Sequence, residues 1–203
     1  MIKLFHSPRT RSVRIYWLLE ELGLPYELHT IAFNQESLKS PDYLKVNPLG
    51  KVPAIQDDGL TMFESGAILE YLLEKYGKGR LAPPPGTPER GAFLQWVHFG
   101  EATALPPLGD LAQHTLFRPE SERIAAVVTD ARARLTNVLG VLEQALKGRQ
   151  YLVGDEFTGA DIMNGYALVL TKWFGLLSDD YPNLVAYLAR LEQRPALQKA
   201  LAS

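Results

Sequence analysis

Apolar residues recur in changing rhythms along this chain, and each change marks a structural element. Ile2, Leu4 and Phe5 form a short apolar run that Ser7, Pro8, Arg9 and Thr10 interrupt. That pattern predicts a strand over 2–5 and then a turn. A helix is expected over about 11–22, stopped by Gly23. Residues 26–31 predict a second strand, and a short helical piece around 41–46 leads to Asn47-Pro48. Val52-Pro53-Ala54-Ile55 opens a third strand, and Asp57-Asp58-Gly59 turns it into a fourth over 60–63. After Ser65, helical spacing returns with Ile68, Leu69, Leu72, Leu73 and Tyr76. The order is β-α-β-α-β-β-α. Its first half is a parallel β-α-β unit and its second an antiparallel hairpin with a covering helix.

The stretch 80–88, Arg-Leu-Ala-Pro-Pro-Pro-Gly-Thr-Pro, predicts a stiff linker. Everything beyond it is expected to be helical, giving domains over 1–79 and 89–203. Ile124, Val128, Ala131, Leu135, Val138 and Leu142 alternate four and three apart, the spacing of a bundle seam. Leu184, Tyr187, Leu188 and Leu191 mark another amphipathic helix. Between these lies Phe157-Thr158-Gly159-Ala160-Asp161-Ile162. Thr158 is its expected N-cap, Asp161 the N3 residue reaching back, and Phe157 with Ile162 the hydrophobic staple. Asp161 is therefore expected to act in folding, not in chemistry.

Composition narrows the function classes. The 203 residues are 46% apolar and 22% charged, an ordinary soluble globular balance with enough apolar content for a real core. A net charge of −2 leaves no electrostatic footprint for nucleic acid. No apolar run approaches membrane-span length, and the amino end enters a strand pattern without a signal peptide. Cytoplasmic is the default location. The absence of cysteine excludes disulfides, thiolate metal sites and redox cycling of a protein thiol. The four histidines have no metal-ligand spacing, so no metal is expected.

Residues 47–65 carry the signs of a ligand site. A proline opening an apolar run belongs at a strand start or edge. A cis Val52-Pro53 bond would present the Val52 backbone sideways, where an extended peptide could pair with it. Ser65 stands where a helix N-cap is expected, yet the N3 residue is then Ile68, so no capping box closes. Gly66 and Ala67 are small enough to let a ligand reach the free N–H groups. Open donors at a helix start attract a carboxylate, and Glu64 beside them could hold an ammonium. The implied ligand is peptide-like, with a free α-carboxylate and α-amine at one end.

Taken together, the strand order, the Val-Pro turn, the Glu-Ser helix start, the linker, the helical half and the Phe-Thr-Gly-Ala-Asp box resemble the cytosolic glutathione transferases. The likeness spans essentially the whole chain and leans toward bacterial, serine-type, theta-like members rather than cysteine-type ones. It implies an α+β thioredoxin-like domain followed by an all-helical domain, a homodimer, and glutathione as co-substrate. By this resemblance, Val52 with Pro53 pairs with the cysteinyl part, Glu64 and Ser65 take the γ-glutamyl end, and Lys51 reaches the glycyl carboxylate.

A free thiol is only a few per cent ionised at neutral pH. Lowering its pKa by one unit needs about 1.4 kcal/mol, which one charge-assisted hydrogen bond can supply. Ser7, four residues before Arg11, matches the spacing of serine-type members and is the first choice. Thr10 is second, and a backbone amide or the helix dipole third. The electrophile pocket is expected from Phe5, His6, Arg9, Trp96, His98, Phe99, Glu101, Thr103 and Trp173, with core packing an equal reading for each. For His98, a buried and satisfied histidine is the preferred reading. Pro106-Pro107 should end or kink the helix before it. The resemblance implies a transferase acting on a small apolar electrophile or hydroperoxide. The alternative is a non-catalytic binding or regulatory protein of the same architecture, and a cysteine-based reductase is excluded.

Overall fold

The computed structural model describes all 203 residues, Met1–Ser203. The chain divides into two compact units, Met1–Ala82 with Glu192–Ser203, and Pro83–Leu191. The first unit holds one four-stranded sheet in the order β2-β1-β3-β4. Its strands are β1 (Ile2–His6), β2 (Tyr26–Thr30), β3 (Ala54–Asp57) and β4 (Leu60–Phe63). β1 pairs parallel with β2 and antiparallel with β3, and β3 pairs antiparallel with β4.

Helix α1 (Ser12–Leu22) ends where Gly23 takes φ 65°, with Leu24 N–H bonded back to the Leu19 carbonyl at 3.1 Å. It packs against β1 and against α4 (Ser65–Tyr76). Short helices α2 (Gln35–Leu38) and α3 (Pro41–Leu44) contribute Leu38 and Tyr43 to a cluster with Phe5, Ile31, Val52 and Ala54.

One expectation is overturned here. The last helix, α10 (Pro195–Leu201), packs along α1 in the first unit and does not join the helical bundle. The reason lies in α1, where every residue from Ser12 to Leu19 is buried. A helix buried on all sides needs cover on more than one side. The Arg194 guanidinium fork grips Glu21 at 2.6 and 2.7 Å, and Lys199 reaches Glu20 at 2.8 Å.

In the second unit, α5 (Pro88–His98) runs through a π-helical stretch, Phe99–Ala104, into α6 (Leu105–Ala112). Pro106 and Pro107 sit in the first turn of α6, so the helix is widened rather than ended by the two missing N–H groups. Within that stretch Gly100 lies against Met163, whose Cβ would be 2.9 Å from an added Cβ, so no larger residue fits. The long helix α7 (Ala125–Ala145) buries its seam from Ala131 onward, while Ile124 is exposed.

Helix α8 (Gly159–Trp173) forms the centre of the unit, buried continuously from Gly159 to Val169. Its capping box is closed as expected, with Thr158 N–H donating to Asp161 at 2.7 Å. Helix α9 (Pro182–Glu192) has its first turn capped from α7, since Glu143 accepts from Asn183 N–H and Leu184 N–H. No helix is long and apolar enough to cross a membrane.

Candidate functional site

Sheet register brings the sequence-predicted segments together. β1 ends at His6, and β3, running antiparallel to it, begins opposite Phe5 at Ala54. Phe63, at the end of β4, pairs with the same Ala54. The turn after β1, the Val52-Pro53 segment before β3, and Glu64-Ser65 after β4 therefore share one end of the sheet.

The Val52–Pro53 bond is cis, and Val52 makes no backbone hydrogen bond within the chain. The aim of its N–H is set one residue earlier. The Lys51 carbonyl accepts from Tyr43 Oη at 2.6 Å and Asn47 Nδ2 at 2.7 Å. Carbonyl and following N–H lie on opposite sides of one planar trans peptide, so fixing the former turns the latter the other way. Asn47 also accepts from Leu49 N–H at 3.0 Å, which folds the 47–51 loop onto itself. Lys39 Nζ donates to the Leu49 carbonyl at 2.7 Å, bringing a second cation to the loop that carries exposed Lys51. Tyr43, Asn47 and Lys39 were missed at the sequence level. Only Asn47, ahead of a Pro-Leu-Gly turn, carried a usable signal.

Helix α4 begins one residue earlier than expected. Ser65 is its first helical residue and Glu64 the cap, without a side-chain capping bond. Ile68 N–H returns to the Glu64 carbonyl at 2.9 Å, leaving the N–H groups of Gly66 and Ala67 open. Glu64 holds φ 77°, a left-handed value uncommon outside glycine and frequent at ligand clamps. The Ser65 side chain is buried and lies 3.4 Å from an Arg14 guanidinium nitrogen.

For the thiolate donor, the first and second choices differ in exposure. Ser7 is fully buried, and its hydroxyl donates to the Ile31 carbonyl at 2.6 Å. Its one proton goes to the backbone, and full burial leaves the hydroxyl no open side toward which to turn. Thr10 is half-buried. Its Oγ1 donates to the Ser7 carbonyl at 2.8 Å and lies 2.7 Å from Ser12 Oγ, and its N–H has no partner in the chain.

For Phe5 and His6, core packing is the one of the two readings that their burial supports. Phe5 is packed in the core cluster, its ring 5.1 Å from His29 and 5.7 Å from Tyr43. His6 is fully buried between Ser12 Oγ at Nδ1 and Ser203 Oγ at Nε2, and burial holds its pKa down at about 4. The His6 side chain therefore offers no surface to a substrate. In the second unit Trp96 is buried, Phe99 and Glu101 are half-buried, and Thr103 and Trp173 are exposed. His98 is exposed as well, against the expected buried histidine, because it closes α5 on its solvent side. A separate cavity of about 470 Å³, touching Phe5, Ile31, Tyr43 and Val46, reaches none of Lys51, Val52, Glu64 or Ser65.

Comparison with known proteins agrees with this geometry. The model of the glutathione S-transferase N-terminal domain matches residues 1–74, and that of the C-terminal domain matches residues 106–195. Glutathione S-transferase 3 of Schizosaccharomyces pombe is 31% identical, covering 98% of this chain and 86% of its own length. The chain belongs to the glutathione S-transferase family. Among solved structures, glutathione transferase URE2P6 from Phanerochaete chrysosporium, in complex with oxidized glutathione, matches with a TM-score of 0.89 at 32% identity. That match covers 99% of this chain and 94% of the other. A glutathione transferase from Burkholderia graminis with two glutathione molecules per subunit also gives 0.89, at 34% identity over 100% and 88%. The expected glutathione transferase fold, a thioredoxin-like sheet domain followed by helices, is the fold of this chain.

Proposed function

We propose that the chain is a glutathione transferase that ionises the thiol of bound glutathione and directs it at small apolar electrophiles or hydroperoxides. The observation that carries this reading is the meeting, at one sheet end, of an unpaired Val52 peptide, an open α4 start and the half-buried Thr10 hydroxyl. The cysteinyl backbone of glutathione pairs with Val52 beside Pro53. Its γ-glutamyl carboxylate sits on Ser65 and the N–H groups of Gly66 and Ala67, with its ammonium against Glu64. Lys51, with Lys39 beside it, takes the glycyl carboxylate. Two similar structures hold oxidized glutathione or two glutathione molecules, which supports this ligand.

Thr10, the more exposed of the two hydroxyls, replaces Ser7 as the donor to the thiolate by turning its hydrogen from the Ser7 carbonyl to the sulfur, helped by its own N–H at the start of α1. In conjugation the sulfur lone pair forms the new bond to carbon while the leaving group departs with its electron pair. In hydroperoxide reduction the sulfur takes the terminal oxygen and an alcohol leaves. A second glutathione then attacks that sulfur, closing a disulfide as the S–O bond breaks and water leaves, because the protein has no cysteine to do so. Arg9 in the first unit, and His98, Phe99, Glu101, Thr103 and Trp173 in the second, each retain exposed or partly exposed surface. A cytoplasmic homodimer, with its domains meeting in the 80–88 linker, completes the proposal. The non-catalytic alternative is not favoured, since the glutathione cradle is intact.

The test is the pH–rate profile for glutathione addition to an aryl halide. A hydrogen bond to an anion is worth about 1.5–3 kcal/mol, so Thr10→Val should raise the thiol pKa by about one to two units. Ser7→Ala should cost stability and leave the profile in place. The opposite pattern would return the role to Ser7.

A further inference from the structure

The cavity of about 470 Å³ in the first unit has no part in the glutathione reading, and its walls share a consistent chemistry. It lies at the end of β2, against the one-turn helices α2 and α3. Small-molecule sites usually enclose roughly 300–1,000 Å³, so the volume suits a modest ligand. Phe5, Ile31 and Tyr43 form its base, all three buried, with half-buried Val46 packed on them. The Tyr43 hydroxyl is committed to the Lys51 carbonyl at 2.6 Å, so the ring is what it offers the cavity. The Phe5 ring neighbours those of Tyr43 and His29, at 5.7 and 5.1 Å.

The exposed mouth is acidic. Glu36 on α2 and Asp42 on α3 reach it, and no lysine or arginine lines the cavity. Neither carboxylate is needed to cap its helix. Asn34 already accepts from Ser37 N–H at 2.8 Å, and Ser40 from Tyr43 N–H at 3.3 Å. Asp42 is paired with Lys45 at 2.8 Å, but both side chains are exposed and such a pair is weak. Glu36 forms no ion pair within the chain. One cation approaches from outside the cavity: Lys3 Nζ lies 5.4 Å from the Phe5 ring centroid, its charge met by Glu27 at 3.3 Å. With His29 left aside, Glu27, Glu36 and Asp42 stand against Lys3 and Lys45, an excess of one negative charge.

Aromatic rings at the base and a spare carboxylate at the mouth favour a ligand with an apolar body and one positive head. An anion would meet Glu36 and Asp42 with no cation on the lining to answer it. Glutathione, with two carboxylates and one ammonium, is disfavoured by the same charges. We propose that this cavity is a second ligand site, taking a small arylalkyl ammonium. Its ring enters among Phe5, Tyr43 and Val46, and Glu36 and Asp42 hold its ammonium at the mouth. The site goes beyond the transferase reading and does not depend on it.

The experiment titrates the isotopically labelled full-length protein, at neutral pH and low salt, and follows its amide signals by heteronuclear NMR. The probes are phenethylammonium, phenethyl alcohol and phenylacetate, which differ chiefly in charge. The ammonium should move the amides of His29, Glu36, Ser37 and Val46 with a Kd of about 0.1–1 mM, as befits a ligand of its size. The alcohol should bind about fivefold more weakly, and phenylacetate more weakly still. Glu36→Gln should remove most of the preference for the ammonium over the alcohol. Salt at about 0.5 M should do the same in the wild type. Ser37→Trp fills the cavity from α2 without touching the backbone caps, and should abolish binding of all three.

Equal affinities for the ammonium and the alcohol, or tighter binding of phenylacetate, would overturn the assigned chemistry. Shifts confined to other residues, or undiminished binding by Ser37→Trp, would overturn the site. If Ser37→Trp fails to fold, Glu36→Gln decides alone. A preference for the ammonium as large as in the wild type refutes the proposal, and its loss supports it. None of these readouts uses glutathione, so this proposal and the transferase reading fail or stand separately.

Discussion

Replacing Asp161 by alanine should destabilise the protein by considerably more than the loss of a helix cap. A lost cap costs about 0.5–2 kcal/mol. The carboxylate, however, is fully buried and serves four donors. Oδ2 accepts from Thr158 N–H at 2.7 Å and Thr158 Oγ1 at 3.1 Å. Oδ1 accepts from Leu152 N–H at 3.0 Å and Tyr187 Oη at 2.7 Å. Alanine would leave three of these donors, the two N–H groups and the tyrosine hydroxyl, with no acceptor, at about 1–3 kcal/mol each. Against this sum stands the cost of keeping a carboxylate out of water, which the variant no longer bears. Burial pushes the Asp161 carboxyl above its ordinary value despite the four donors, so this opposing contribution is substantial. The balance falls at about 3–5 kcal/mol, the range for breaking a buried polar network from one side.

Urea unfolding followed by circular dichroism would measure the loss as a shift of the midpoint. Tyr187→Phe provides an internal scale: one donor removed and three kept should cost about 1–2 kcal/mol. A loss below about 1 kcal/mol for Asp161→Ala would refute the network argument. A stable variant that binds glutathione but no longer turns over would place Asp161 in the chemistry instead.

Other outcomes follow from the same structure. Asn47→Ala frees the Lys51 carbonyl and with it the aim of the Val52 N–H. Glutathione affinity should fall by about 1–2 kcal/mol, and an unchanged calorimetric Kd would dismiss the orienting role. Ser65→Ala should weaken glutathione by about 1–3 kcal/mol, and equal affinity with the fold intact would move the γ-glutamyl carboxylate elsewhere. His6 is held at about 4 in the fold against 6.5 ordinarily. The unfolded chain therefore binds its proton first as pH falls. The stability this depressed pKa confers is fully present above about pH 6.5 and is lost towards pH 4, by up to about 3 kcal/mol. Wild type minus His6→Asn stability should change across that window, and parallel curves for the two proteins would exclude it.

Much of the fold was legible from the chain because local chemistry dictated it. The apolar period of two over 2–5 and 60–63, the helical return after Ser65, the Asp-Asp-Gly turn and the Gly23 stop each depend only on neighbours in sequence. The box at Thr158 and Asp161 spans three residues, and it closed as written. The α1 helix shows where this legibility stopped. Its length was readable from the sequence, but not the burial of eight successive residues, nor that a segment about 180 residues later would provide their cover.

At the ligand cradle, Val52, Glu64 and Ser65 stood out because proline, an unclosed cap and a small Gly-Ala pair are local features. Tyr43 and Lys39 did not, since each acts by reaching a carbonyl around ten residues away. The burial of Ser7 was hidden for a related reason. Spacing put a hydroxyl just after the first strand, but which of three hydroxyls keeps a free face depends on what β2 brings alongside. The Ile31 carbonyl, delivered by the parallel pairing of β1 with β2, claimed the Ser7 proton and left Thr10 nearer the surface. The sequence by itself determined the elements, their order and the peptide-like character of the ligand, because these follow from short-range periodicity and backbone chemistry. The tertiary structure alone decided which side chains are buried and which hydroxyl near the end of β1 keeps exposed surface, because the neighbours that cover them come from elements distant in the chain.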